Sequence, residues 1–425
     1  MSYFLLVLIL LAICAWCVIK LHDIFNPAVI TCISYVIALM AAGLGRGRWH
    51  SITNLSGSTV FLILLAISVL IGAVLLITAQ NTCKWHEHSE CILGKYDRLD
   101  NRVIAIIGFY IILIYYLYYL QINSFISSLG INGTLFEKLN TYRSLYIIND
   151  GSATGSGDGV STVVLQLRNL VDVLVPFSVF EFNKHIVNIQ LAIVSLIGMI
   201  ASLLTTGRSL LISYIFSAVV SYLILQKHLK KSYSLSNLLK FIFAGCALIA
   251  AFFGLNNLMR RNSSFKFFDY FTFYLGSSIT NLNSYMQKPG ISQGTQTFNG
   301  FFDMLSKLGF PVKVNNRSVS WIEYSGNESN VFTALQRYYA DGGYLTVILY
   351  ILLFAITMSL LYTLTHTDNP FWIILYSMTF SLMFDQSRDD EFYPYILRIS
   401  FPIIIFFLYL LCKFCLKEKT CELQA

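Results

Sequence analysis

Residues 57–78 read GSTVFLILLAISVLIGAVLLIT, a run without one charged side chain. An α-helix rises 1.5 Å per residue, so about 20 such residues cross the roughly 30 Å hydrocarbon core of a bilayer. The apolar character is continuous rather than alternating, which rules out a barrel strand. The run reads as a membrane-spanning helix, and the pattern recurs along the chain. Of 425 residues, 56% are apolar and only 12% charged, with a mean hydropathy of +0.65. A soluble chain carries about a quarter charged residues. A soluble enzyme, a coiled coil, a disordered chain and a disulfide scaffold are therefore excluded, and the chain reads as an all-α polytopic membrane protein.

Working outward from 57–78, the runs long enough to cross are 3–19, 27–44, 57–78, 103–122, 160–180, 186–204, 209–225, 236–256, 342–362, 370–384 and 396–412. This predicts about eleven spans, within a range of ten to twelve. The run 3–19 has no Lys or Arg before it and no small-x-small cleavage site after it, so it is expected to be a retained first span. The run 160–180 carries Arg168 and Asp172, and 370–384 is short; both are weaker spans.

Orientation follows from the clusters Lys84/Lys95/Arg98/Arg102, Lys227/Lys230/Lys231 and Lys413/Lys417/Lys419. Short basic connections stay in the cytoplasm. Eleven spans put four between each consecutive pair of clusters, which leaves the N-terminus outside and the C-terminus inside. Arg46 and Arg48 then lie outside, against the rule. All nine cysteines (14, 17, 32, 83, 91, 246, 412, 415, 421) fall in spans or on the inner side, as suits an oxidising exterior. The formal charge of +7 is dispersed at span ends, so no nucleic-acid partner is expected. The expected organisation is an N-terminal bundle of about eight spans (1–256), a large outer loop (257–341) and a C-terminal part (342–425).

Several constellations carry chemistry. Cys83-Lys-Trp-His86-Glu-His88-Ser-Glu-Cys91 has zinc-ligand residue types but no second half, so no metal is expected. Gly151–Gly159 is polar and flexible, a gate or a linker. Cys412 and Cys415 are read as interfacial packing. Arg208 sits in the tight turn Thr205-Thr206-Gly207-Arg208 between two spans, where a guanidinium suits bidentate phosphate binding or else snorkels to the interface. In the loop 257–341, segments 265–282 and 331–339 look amphipathic and are expected to lie against the outer membrane face or re-enter it. The loop ends in Arg337-Tyr338-Tyr339-Ala-Asp341, where tyrosine faces and a carboxylate suit a carbohydrate. The competing reading is an interface belt with Asp341 as a helix cap. The acidic turn Asp385-Gln-Ser-Arg388-Asp389-Asp390-Glu391 positions a base, pairs with arginines, or is merely solvated.

Taken in order, Asp23-Ile-Phe-Asn-Pro27, Thr206-Gly207-Arg208, the large late loop, Phe273-Tyr-Leu-Gly276 to Asn283 with Thr297-Phe298, and Asn330-x-x-Thr333 running into Tyr339-x-Asp341-x-Gly343 resemble the bacterial O-antigen polymerase (Wzy) family. The resemblance implies a GT-C-like fold in the inner membrane with an active site facing the periplasm. It implies a glycosyltransferase that polymerises oligosaccharide repeat units carried on undecaprenyl diphosphate, as in lipopolysaccharide biosynthesis. Donor and acceptor are both lipid-linked, so no cofactor is expected, and a chain-length-determinant protein is the expected partner beside membrane lipid. Arg208 and Asp341 are the expected catalytic residues. Arg143, Arg337, Arg388, Tyr338 and Tyr339 are expected to bind the diphosphate or sugar. The Arg-x10-Gly spacing of arginine loops in some members is absent, because Gly151 and Gly155 follow Arg143 instead. The nearest rivals are an O-antigen ligase, although residues 257–341 contain no histidine, and a lipid-linked oligosaccharide flippase.

Overall fold

The computed structural model describes residues 2–52, 54–78, 99–142, 160–184, 189–205, 208–228, 266–287, 289, 296–307, 309–312, 322–325, 327–367 and 369–416. In chain order the helices are α1 (Tyr3–Leu21), α2 (Pro27–Gly45), α3 (Gly57–Thr78), α4 (Asn101–Ser128), α5 (Leu135–Tyr142) and α6 (Thr162–Leu167). Then come α7 (Leu170–Lys184), α8 (Ile189–Ala201), α9 (Arg208–His228), α10 (Phe267–Gln287) and α11 (Asn299–Lys307). The last are α12 (Ala334–Gly342), α13 (Tyr344–Leu364), α14 (Pro370–Asp385), α15 (Phe392–Ile396) and α16 (Ser400–Cys415). A two-stranded antiparallel hairpin, β1 (Ile322–Tyr324) with β2 (Asn327–Ser329), precedes α12.

Among the described residues, six segments are helical, long and apolar enough to cross a membrane: Tyr3–Leu21, Pro27–Gly45, Gly57–Thr78, Asn101–Ser128, Thr162–Glu181 and Tyr344–Leu364. Shorter apolar helices cover Ile189–Thr205, Leu210–Gln226, Pro370–Asp385 and Ser400–Cys415. These are the ingredients of an all-α membrane protein. The predicted span 236–256 lies outside the described residues, as do Cys83–Cys91, Arg143 and 151–159.

Two compact units divide the chain. The first comprises Met1–Glu87, Ser263–Thr367 and Thr379–Phe401; the second comprises His88–Asn262, Asp368–Met378 and Pro402–Ala425. The units cut across the division by sequence order into 1–256, 257–341 and 342–425. Most of the large loop belongs with the first three helices.

In the first unit, Asp23-Ile-Phe-Asn-Pro27 is a turn-and-cap device. His22 ends α1 at φ 51°, a left-handed conformation. Asp23 Oδ1 then accepts the Phe25 N–H at 2.9 Å, and its Oδ2 accepts the Tyr362 hydroxyl of α13. Asn26 Oδ1 caps α2 through the Ala28 N–H at 3.0 Å, with Pro27 in the first turn, where its missing N–H costs nothing.

Helix α10 covers most of the segment expected to lie against the membrane face or to re-enter it. It packs along α2, and its buried side is polar: Thr272, Ser277, Ser278, Thr280, Asn281 and Asn283. Gly276 makes the close approach possible, because a Cβ there would stand 2.7 Å from Ala42 Cα and 2.8 Å from the Ala41 carbonyl carbon. The buried polar groups are satisfied by backbone groups and side-chain hydroxyls. Asn283 Oδ1 accepts from the Ser56 N–H at 2.8 Å and the Thr59 hydroxyl at 3.0 Å. Asn281 donates to the Val331 carbonyl at 2.7 Å and accepts the Tyr324 hydroxyl at 2.6 Å. Outside α2, Trp49 is buried against Phe273 and Tyr324, and its indole donates to Thr272 Oγ1 at 3.1 Å. Arg48, which opposed the charge rule, pairs with Asp269 of α10 at 2.9 Å.

In the second unit the weak span is broken between α6 and α7 at Arg168 and Asn169. Its charges are met from within the bundle. The Arg168 guanidinium lies 5.5 Å from the Tyr118 ring centre, and the Tyr214 hydroxyl donates to Asp172 at 2.6 Å.

Candidate functional site

The first unit brings two distant pieces of sequence together, α12 and the turn 386–391 between α14 and α15. The turn is hung from its backbone. The Gln386 carbonyl accepts from the Ala334 N–H at the start of α12 (3.1 Å) and from the Tyr35 hydroxyl of α2 (3.0 Å). The Ser387 carbonyl accepts from the Ser278 hydroxyl of α10 at 2.7 Å. Backbone groups buried without such partners would each cost about 1–3 kcal/mol. The polar side of α10 therefore anchors the turn.

On this frame Arg337 of α12 meets Asp389 at 2.7 Å, and a second guanidinium nitrogen donates to the Asp390 carbonyl at 3.4 Å. Arg388 pairs with Asp385 at 3.6 Å, its guanidinium 4.8 Å from the ring centre of Tyr274. Both arginines are largely buried yet keep an exposed edge, with side chains 19% and 16% exposed. Two guanidinium groups held this way present planar donor forks of the type that grips phosphate oxygens.

Tyr338 is wholly buried among Tyr350 and Tyr393, at ring separations of 5.4 and 5.7 Å. Its hydroxyl lies 3.1 Å from Asp390 Oδ1 and 3.3 Å from Gln386 Oε1. Tyr339 packs edge-on against Tyr344 and Tyr285. The expectation that these two tyrosines offer open faces to a sugar is corrected here. Both rings are spent on packing, and Tyr338 contributes its hydroxyl.

Asp341 lies inside α12, and its carboxylate accepts the backbone N–H groups of Gln296 at 2.5 Å and Thr297 at 3.1 Å. It is not the cap of the following span. That position belongs to Gly343, at φ 76°, without a side-chain bond. Asp341 holds the turn that leads into α11. Burial raises its pKa, opposed by those hydrogen bonds and by Arg337. In the acidic turn, burial pushes Asp390 up to about 7 and Glu391 up to about 8, the latter with help from the charges of Asp389 and Asp385. The turn thus holds carboxyls able to exchange protons near neutrality.

Arg208 is the first residue of α9, in the second unit; its side chain and all of Arg143 lie outside the described residues. No group of three or more His, Cys, Asp or Glu side chains able to hold a metal occurs among the described residues. Sequence reasoning passed over Gln386, Ser278 and Tyr35. Their partners are 48 to 351 residues away, and no local pattern marks them. No family model, no curated protein and no solved structure matches this chain.

Proposed function

We propose that the chain is a glycosyltransferase that polymerises undecaprenyl-diphosphate-linked oligosaccharide repeat units on the periplasmic face of the inner membrane, in O-antigen or similar surface polysaccharide synthesis. The observation that carries the reading is the meeting of two arginines, Arg337 paired with Asp389 and Arg388 paired with Asp385, at one turn that also carries Asp390, a carboxyl that burial pushes up to about 7. Lipid diphosphate is its own leaving group, so neither a nucleotide sugar nor ATP is needed. Guanidinium groups stabilise the charge that develops on the departing diphosphate, and a carboxylate receives the proton of the attacking hydroxyl. The about eleven spans, the GT-C-like fold, the diphosphate role of Arg208 and Arg143, and a chain-length-determinant partner rest on the resemblance and the charge pattern.

The test is the lipopolysaccharide gel profile of a strain lacking the chain. Core capped with a single repeat unit, restored to a ladder by the wild-type chain, is the expected result. Core without any repeat unit would point to a ligase or a flippase instead.

A further inference from the structure

Two atoms beside Tyr338 have no hydrogen-bond partner although their residues are buried: Asp390 Oδ2, in a residue 1% exposed, and Gln386 Nε2, in one 0% exposed. Each belongs to a group whose oxygen, Asp390 Oδ1 or Gln386 Oε1, lies within 3.3 Å of the Tyr338 hydroxyl, so that hydroxyl ties together the two groups that carry the free atoms. One is an acceptor and the other a donor. A sugar hydroxyl needs both, because it donates one proton and accepts through its lone pairs. By contrast, Asp341 has both oxygens engaged by backbone N–H groups, and Asp389 is held in the bridge to Arg337.

We propose that Asp390 is the carboxylate that takes the proton from the attacking hydroxyl of the acceptor sugar, with Gln386 donating to the same hydroxyl oxygen and Tyr338 positioning both. The inference rests on the glycan-polymerase reading above. In the step, the acceptor oxygen forms a bond to the anomeric carbon of the donor chain. The bond from that carbon to the diphosphate oxygen breaks, its electron pair leaves with undecaprenyl diphosphate, and the hydroxyl proton moves to Asp390 Oδ2.

The trio accommodates that extra proton. A tyrosine hydroxyl carries one proton, so Tyr338 donates to one neighbour at a time. It donates to Asp390 when the carboxylate is ionised. When Asp390 is protonated on Oδ2, its Oδ1 still accepts from Tyr338, so the added proton breaks no bond of the trio. Around Asp390 stand Arg337 and Tyr338 from α12, Tyr350 from α13, Tyr393 from α15, and Asp389 and Glu391 from its own turn. Burial raises its pKa most and Asp389 adds to that; Arg337, the Tyr338 hydroxyl and the Tyr393 N–H lower it.

The test uses the full chain in lipid vesicles, supplied with lipid-linked repeat units extracted from the strain that lacks it. Asp390→Asn, checked for normal membrane yield, should lose about 10²- to 10⁴-fold in rate. The base must be ionised, so wild-type kcat/KM should rise with pH through about 7. Tyr338→Phe removes a bond that favours the carboxylate and should move that limb to higher pH. Polymer at wild-type rate from Asp390→Asn, or an unmoved limb in Tyr338→Phe, overturns the assignment alone. Absence of polymer from the wild-type chain overturns the functional reading together with it.

Discussion

Gly276→Ala tests whether the α2–α10 contact sets the site. The added Cβ would collide with the Ala42 nitrogen, stand 2.7 Å from Ala42 Cα and 2.8 Å from the Ala41 carbonyl carbon. Carbon atoms pack best at about 3.5–4.0 Å, and neither neighbour is a side chain that can swing aside. The helices must therefore part by about 1 Å, and overpacking of this kind costs about 1–3 kcal/mol. Ser278 lies two residues on and holds the Ser387 carbonyl at 2.7 Å. Moving it by about 1 Å breaks that bond and frees the turn that carries Arg388 and Asp390. A displacement of about 1 Å at a reacting centre can cost about 10²-fold in rate. Gly276→Ala should therefore melt at lower temperature in detergent and should polymerise poorly. Gly72→Ala in α3, where a Cβ meets nothing within 4 Å, should do neither. Ser278→Ala separates the two effects by removing the hydrogen bond without the clash. A Gly276→Ala chain that melts and polymerises like wild type would refute the argument that this contact places the turn.

Three further outcomes are expected. Asp341→Asn sets an amide N–H2 against a backbone N–H, so it should lower stability by about 1–3 kcal/mol while polymer is still made at permissive temperature; normal stability with no polymer would return Asp341 to the role of base. A cysteine placed at the exposed Glu323 of β1, in a background without native cysteines, should react with an impermeant thiol reagent in whole cells, and reaction only after lysis would invert the topology. Arg208→Lys should lose most polymer, because an ammonium cannot replace the planar fork, while full-length ladders from Arg208→Ala would reduce Arg208 to an interfacial anchor.

The span at 57–78 was legible to the residue, because length without charge is a local property and a helix is the only way to satisfy that backbone in lipid. The caps at Asn26 and Pro27 were legible for the same reason: their partners lie two residues away. Arg337, Tyr338 and Arg388 stood out as polar groups at membrane edges, and the fold does gather them. The roles were another matter. Asp341 and Asp390 are both carboxyls beside apolar runs, and nothing within a few residues tells which is clamped by two backbone N–H groups and which faces the Tyr338 hydroxyl. Partners 44 to 52 residues distant decide it.

The sequence by itself determined that this is a helical membrane protein with charged turns at the ends of its apolar runs, since hydropathy and charge are read along one dimension. Only the tertiary structure decided what the polar stripe of α10 does. An amphipathic pattern marks two faces without saying which one meets protein, and in a chain embedded in lipid the polar face is the one turned inward. There Asn281, Asn283 and Ser278 find the backbone of segments 54–59, 329–331 and 386–391, contacts that exist only once α10 has docked on α2 at Gly276.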